Sequence, residues 1–157
     1  MKYFRIFTLV LISLSILTFS SCEPHQEEQK AKYVFLFIGD GMGISQVTAA
    51  EVYQANVKGE QYEKVGFSEF PHTGFCSTYA ANRFITGSAA AGTALATGHK
   101  TNIGRISMDP NADSAMVTIA EKAKAYGMKV GIISSVSIDH ATPAVFYAHQ
   151  PGRDMYH

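Results

Sequence analysis

The run Tyr33-Val34-Phe35-Leu36-Phe37-Ile38 most narrows the folds open to this chain. It is continuous, apolar and rich in β formers, which is the pattern of a strand buried on both faces. It stops at Gly39-Asp40-Gly41-Met42-Gly43, a turn. The residues beyond predict a helix from about Ile44 to Val57. A looser segment runs to Pro71, and a short strand is expected from Phe75 to Tyr79. A helix of small residues is predicted over 88–97, with Gly98 as its stop. From Ser114, the apolar positions Met116, Ile119, Ala120, Ala123 and Tyr126 follow helical spacing, and Gly127 ends the run. Lys129-Val130-Gly131-Ile132-Ile133-Ser134-Ser135-Val136 then reads as a second buried strand. Strand, helix and strand alternate, so the expected fold is α/β, a mostly parallel central sheet with helices on both faces.

Composition agrees with one domain and a real core: 157 residues, 46% hydrophobic, 17% charged, formal net charge zero. No basic stripe exists, so a nucleic-acid partner is not expected. The first 22 residues read as an export signal. Lys2 and Arg5 form a positive start, and Ile6 to Phe19 is apolar except for Ser and Thr. That run is shorter than the ~20 residues of a membrane span. It ends in Ser20-Ser21-Cys22, small residues before a cysteine, as in a signal peptide or a bacterial lipobox. Phe19 departs from the aliphatic residue usual in a lipobox. Two fates are therefore open: a lipid on Cys22 that attaches the chain to a membrane, or ordinary cleavage. Residues 23–32 read as a polar tether. The expected location is outside the cytoplasm, periplasmic or anchored to the cell envelope. The chain has two cysteines. With Cys22 lipidated, Cys76 has no partner, and its apolar setting predicts a small buried hydrophobe.

In parallel α/β sheets, sites form beyond the carboxyl ends of the strands. Asp40 stands just past the first run, and Asp139, His140 and Thr142 just past the last, so these two loops can meet in space. A carboxylate among glycines suits a divalent cation, since backbone can approach it closely; it suits an ordinary Asp-Gly turn equally well. Ser88 at a helix start faces unpaired N–H groups that favour a phosphate, or it is simply a helix cap. His140 and Thr142 point the same way in an extended loop and can serve a cation directly or through water. In the competing reading, Thr142-Pro143 opens a helix. Arg153 offers a planar fork for phosphate, or lies on a solvated face. His72, His99 and His149 are assigned no metal.

The stretches "FLFIGDGMG" (35–43), "TGSAAAGTALATG" (86–98), "KTNIGRISMDP" (100–110) and "DHATPAVFYAHQPGRDMY" (139–156), in this order, resemble the alkaline phosphatase family. The resemblance covers 33–156. It implies that Ser88 is the nucleophile that becomes phosphoserine and that Arg153 holds the phosphate oxygens. It implies two Zn2+ and one Mg2+ in the complete enzyme. Asp40 would bridge one zinc and the magnesium, Thr142 would bind the magnesium, and His140 would act on that site directly or through water. The substrate class would be phosphate monoesters, and the complete enzyme a homodimer. Many members carry Asp before the serine, where it orients the arginine. This chain has Gly87, which implies a looser hold on Arg153. Most family zinc ligands lie in the second half of the fold, and no Asp-x-x-x-His pair occurs here. The chain is thus expected to be the N-terminal portion of an enzyme (33–157), with its sheet incomplete. The alternatives are a related phosphodiesterase or sulfatase and an inactive, truncated lipoprotein.

Overall fold

The computed structural model describes residues 31–155. The expected signal segment and nearly all of the tether lie outside them. The chain divides into two units between Phe37 and Ile38. In the first, residues 33–37 carry no regular secondary structure, and their side chains are open to solvent, Phe37 at 84%.

The second unit is helical. Its elements are α1 (Ile44–Lys58), a 3-10 turn (Gly66–Glu69), α2 (Ser88–Thr97), α3 (Ile119–Ala125) and the single turn α4 (Ala141–Ala144). α1 starts where the sequence places it, with the Gln46 side chain accepting the Gly43 N–H at 3.0 Å. It ends one residue later than expected, at a left-handed Gly59. α3 starts later than its apolar spacing suggests. Thr118 Oγ1 accepts the Glu121 N–H at 3.1 Å, and Glu121 Oε2 accepts the Thr118 N–H at 2.8 Å. This reciprocal cap fixes the first turn at Ile119.

α2 has the predicted bounds. Small residues make its buried face: Ala89, Ala90, Gly92, Thr93, Ala96 and Thr97. Small residues permit close approach, and the approach is used. A Cβ on Gly92 would sit 2.9 Å from Val145 Cγ2. Gly92 is thus required by space. The core lies here, built from Ala89, Ala96, Ile106, Ala141, Ala144 and Val145, with Phe146 and Ala148 packed against it.

Other expectations are corrected. Strand pairing among the described residues is limited to isolated antiparallel bridges, Ala80–Arg83, Ile106–Gln150 and Met108–Ala115. The expected parallel sheet is not formed among them. A strand has no internal hydrogen bonds; neighbours supply both its ladder and its cover. The run 129–136 finds neither among the described residues, and Ile133 is 98% exposed. The strand expected from Phe75 is absent too. Cys76 is exposed rather than buried, because the segment around it packs against no core. Residues 140–142 are not an extended loop: His140 is the N-cap of α4, and Thr142 lies inside the turn. No helix among the described residues is long and apolar enough to cross a membrane.

Candidate active site

The core carries the candidate residues on its rim. Ser88 precedes buried Ala89, and Thr142 lies between buried Ala141 and Pro143. Packing α2 against α4 therefore brings their polar ends together.

Ser88 is the first residue of α2 and not its cap. The N-cap is Gly87, which makes no side-chain capping bond. The Ser88 hydroxyl is thus free of the capping role that its position in the sequence allowed. It accepts a hydrogen bond from Arg153 Nη1 at 3.2 Å, across 65 positions of chain. The second nitrogen of the same fork, Arg153 Nη2, lies 3.3 Å from His140 Nε2. A guanidinium can only donate, so Nε2 accepts and the imidazole proton sits on Nδ1. Nδ1 is buried and has no protein partner. Ser88, His140 and Arg153 are all partly buried.

The loops after the two apolar runs meet. Thr142 Oγ1 donates to Asp40 Oδ2 at 2.6 Å, 102 positions away. Two oxygen donors this close suit a hard cation such as Mg2+. His140 fits an indirect role better than a direct one, since Arg153 occupies its one free lone pair. Its buried Nδ1–H is the group that would meet a water beside such an ion. For zinc the donor set does not fit. No group of three or more His, Cys, Asp or Glu that could hold a metal occurs among the described residues.

A second polar group flanks the first. His149 Nε2 lies 2.9 Å from Glu121 Oε1, and its Nδ1 lies 2.9 Å from the Ser107 carbonyl. Both partners are acceptors, which favours the doubly protonated ring. Burial pulls His149 toward neutrality. The Glu121 hydrogen bond, the Ser107 carbonyl and the Glu121 charge outweigh it and hold its pKa above the ordinary value. The Thr118 N–H, then His149, hold Glu121 below the ordinary carboxylate value. Sequence reasoning passed over this pair, although Thr118-x-x-Glu121 was legible as a capping box. Asp109 is likewise lowered, chiefly by the Ser114 N–H, and shapes its own turn.

Known proteins resemble this chain in sequence and fold. The family model described as "Alkaline phosphatase" matches residues 31–157. Alkaline phosphatase 4 of Drosophila melanogaster is 37% identical over 136 residues, covering 81% of this chain and 23% of that protein. The alkaline phosphatase of Escherichia coli (strain K12) is 38% identical over 135 residues, covering 82% of this chain and 28% of that protein. Among solved structures, the cold-active alkaline phosphatase of a psychrophilic Shewanella sp. superposes with a TM-score of 0.71 at 40% identity, over 76% of this chain and 30% of its own. A TAB5 alkaline phosphatase variant with Mg bound superposes with a TM-score of 0.62 at 29% identity, over 74% of this chain and 32% of its own. The chain spans about a quarter of the length of the curated relatives it matches. The chain belongs to the alkaline phosphatase family.

Proposed function

We propose that this chain contributes the nucleophile and the phosphate clamp to the hydrolysis of phosphate monoesters. The observation that carries the reading is the bond from Arg153 Nη1 to Ser88 Oγ at the start of a ten-residue helix. Three features converge there. The first N–H groups of α2 lack helical partners and would meet an anion placed there. The helix dipole adds positive potential at the same end. Arg153 presents a fork matched to two phosphate oxygens.

Ser88 Oγ would attack phosphorus in line with the leaving alcohol. The alcohol departs, the phosphoryl group stays on Ser88, and water then releases it as phosphate. Arg153 would first hold the hydroxyl in place, then hold the non-bridging oxygens as negative charge develops on them. His140 would keep that fork in plane by accepting from Nη2. Asp40 and Thr142 would hold Mg2+, which when bound supplies positive charge beside the reacting group. The zinc chemistry of the family has no ligand set among the described residues, so no step is assigned to it here. Homodimer formation by the complete enzyme belongs to the same proposal, and so does export, with either a lipid on Cys22 or ordinary cleavage. So does a mostly parallel sheet built in part from 33–38 and 129–136. The identity with alkaline phosphatases supports the phosphatase reading, and the apolar run that ends in Ser20-Ser21-Cys22 supports export.

Hydrolysis of p-nitrophenyl phosphate and of the matching diester, by the full-length protein and by its Ser88→Ala variant, tests the proposal. Monoester preference is expected, with a loss on the order of 10^3-fold or more in Ser88→Ala. Diester preference, or an active Ser88→Ala, would overturn it.

A further inference from the structure

The loop that carries Arg153 is gripped by one short segment, and the helix that carries Ser88 grips that segment in turn. Arg105 Nη1 donates to the Pro151 carbonyl. Ile106 and Gln150 exchange two backbone hydrogen bonds, of 3.0 and 2.9 Å. The Ser107 carbonyl meets His149 Nδ1. Residues 105–107 thus hold residues 149–151, ending two positions before Arg153.

The other side of the segment is tied to α2. Thr93 Oγ1 donates to the Arg105 carbonyl at 3.1 Å and accepts the Ser107 N–H at 2.9 Å. Thr93 is fully buried and lies about one and a half turns beyond Ser88. Ser107 adopts a left-handed backbone, φ 44°, which a serine does not choose on its own. It is held there by bonds on every side, to Thr93, to the Val145 carbonyl and from the Met116 N–H. The path from Ser88 through Thr93, 105–107 and 149–151 to Arg153 closes on itself at the Arg153–Ser88 bond.

We propose that Arg105 and Thr93 are positioning residues that set the reach of Arg153 toward Ser88. The inference rests on the reading of Ser88 and Arg153 as a phosphate site. It answers a gap at that site, since Gly87 has no side chain with which to hold the arginine. Arg105 suits the task. Its Nε is buried without a partner, so the side chain keeps this pose against the loss of one donor. The bond to Pro151 and the charge of Asp109 hold it, and the first of these fixes the backbone from which Arg153 extends.

The test uses the whole 15N-labelled chain, inorganic phosphate as the probe, and the guanidinium Nε signal of Arg153 as the reporter. Arg105→Met keeps the stem and removes the fork. Thr93→Val keeps the shape and removes the hydroxyl, and Thr93→Ser restores it. Both losses are expected to weaken phosphate binding roughly tenfold, about 1.4 kcal/mol. Both should also speed guanidinium rotation of Arg153, and Thr93→Ser should reverse both effects. Wild-type phosphate affinity with an unchanged Arg153 signal in Arg105→Met would overturn the proposal. So would a loss of thermal stability with that signal unmoved. Arg153→Ala binding phosphate as tightly as wild type would instead overturn the phosphate-site reading, and the guanidinium rotation then decides the positioning claim. If Thr93→Val fails to fold, Arg105→Met decides.

Discussion

α2 and the run 129–136 are both short, apolar segments, yet α2 is packed at the centre of the described residues and the run lies open. The difference is where each finds its hydrogen bonds. α2 closes its own ladder and asks its neighbours only for close contact, which Gly92 and the alanines allow. The run has excellent β formers and no ladder, because a strand is completed only by another strand. The site follows the self-sufficient element. Ser88, Thr142 and Arg153 are all placed by the packing of α2 on α4 and by the loops attached to it.

The largest break of this comparison is Gly92→Ala. Its Cβ would fall 2.9 Å from Val145 Cγ2 in the core. Overpacking costs about 1–3 kcal/mol, against a helix-propensity gain of at most ~1 kcal/mol. Urea unfolding should therefore show net destabilisation. A stabilised Gly92→Ala would mean that α2 and α4 do not pack as described.

Gly87→Asp sharpens the site half of the comparison. Gly87 has φ −131°, open to any residue, and its Cβ would meet nothing within 4 Å. An aspartate there gains a cap for α2 worth about a few tenths of a kcal/mol over glycine. It also gains a partner for Arg153, so phosphate should bind several-fold more tightly in a calorimetric titration. Unchanged affinity would remove Gly87 as the cause of a loose Arg153.

The His149–Glu121 pair gives a smaller, pH-dependent effect. His149 is raised, so its contribution is complete below the ordinary imidazole value of 6.5 and is lost as pH rises through its folded value. Glu121 is lowered, so its contribution is present above 4.5 and is lost as pH falls through its folded value. The pair thus stabilises most between those values. Its carboxylate is 42% exposed, and screening keeps the effect below about 1 kcal/mol. Thermal stability should fall as pH rises through the raised value of His149, and Glu121→Gln should flatten that slope; an unchanged slope would show that the pair contributes nothing.

The smallest effect belongs to the open run. Ile133→Thr, at a side chain 98% exposed, should change stability by less than about 0.5 kcal/mol. A larger loss would mean that the run is covered in solution.

The legible parts of the sequence were those set locally. The bounds of α2 follow from small residues and a Gly98 that turns left-handed, φ 79°. The meeting of Asp40 with Thr142 followed from a rule about strand ends, although the strands themselves are not formed among the described residues. The contact between Arg153 and Ser88 was indicated only by the family resemblance, since neither residue carries a local signal for a partner 65 positions away. Thr93 and Arg105 were not legible at all. A buried threonine in a helix and an arginine in a loop acquire their roles only when three segments come together. Cys76 was misjudged because an apolar neighbourhood in sequence is not a packed one in space.

Peptide mapping by mass spectrometry, after acid quenching of the full-length protein mixed with a phosphate monoester, tests the central claim most directly. The account predicts one phosphoryl group on the peptide containing Ser88, borne by Ser88 and not by Thr86, Thr93 or Thr97. A phosphoryl group elsewhere, or none at all, would contradict it.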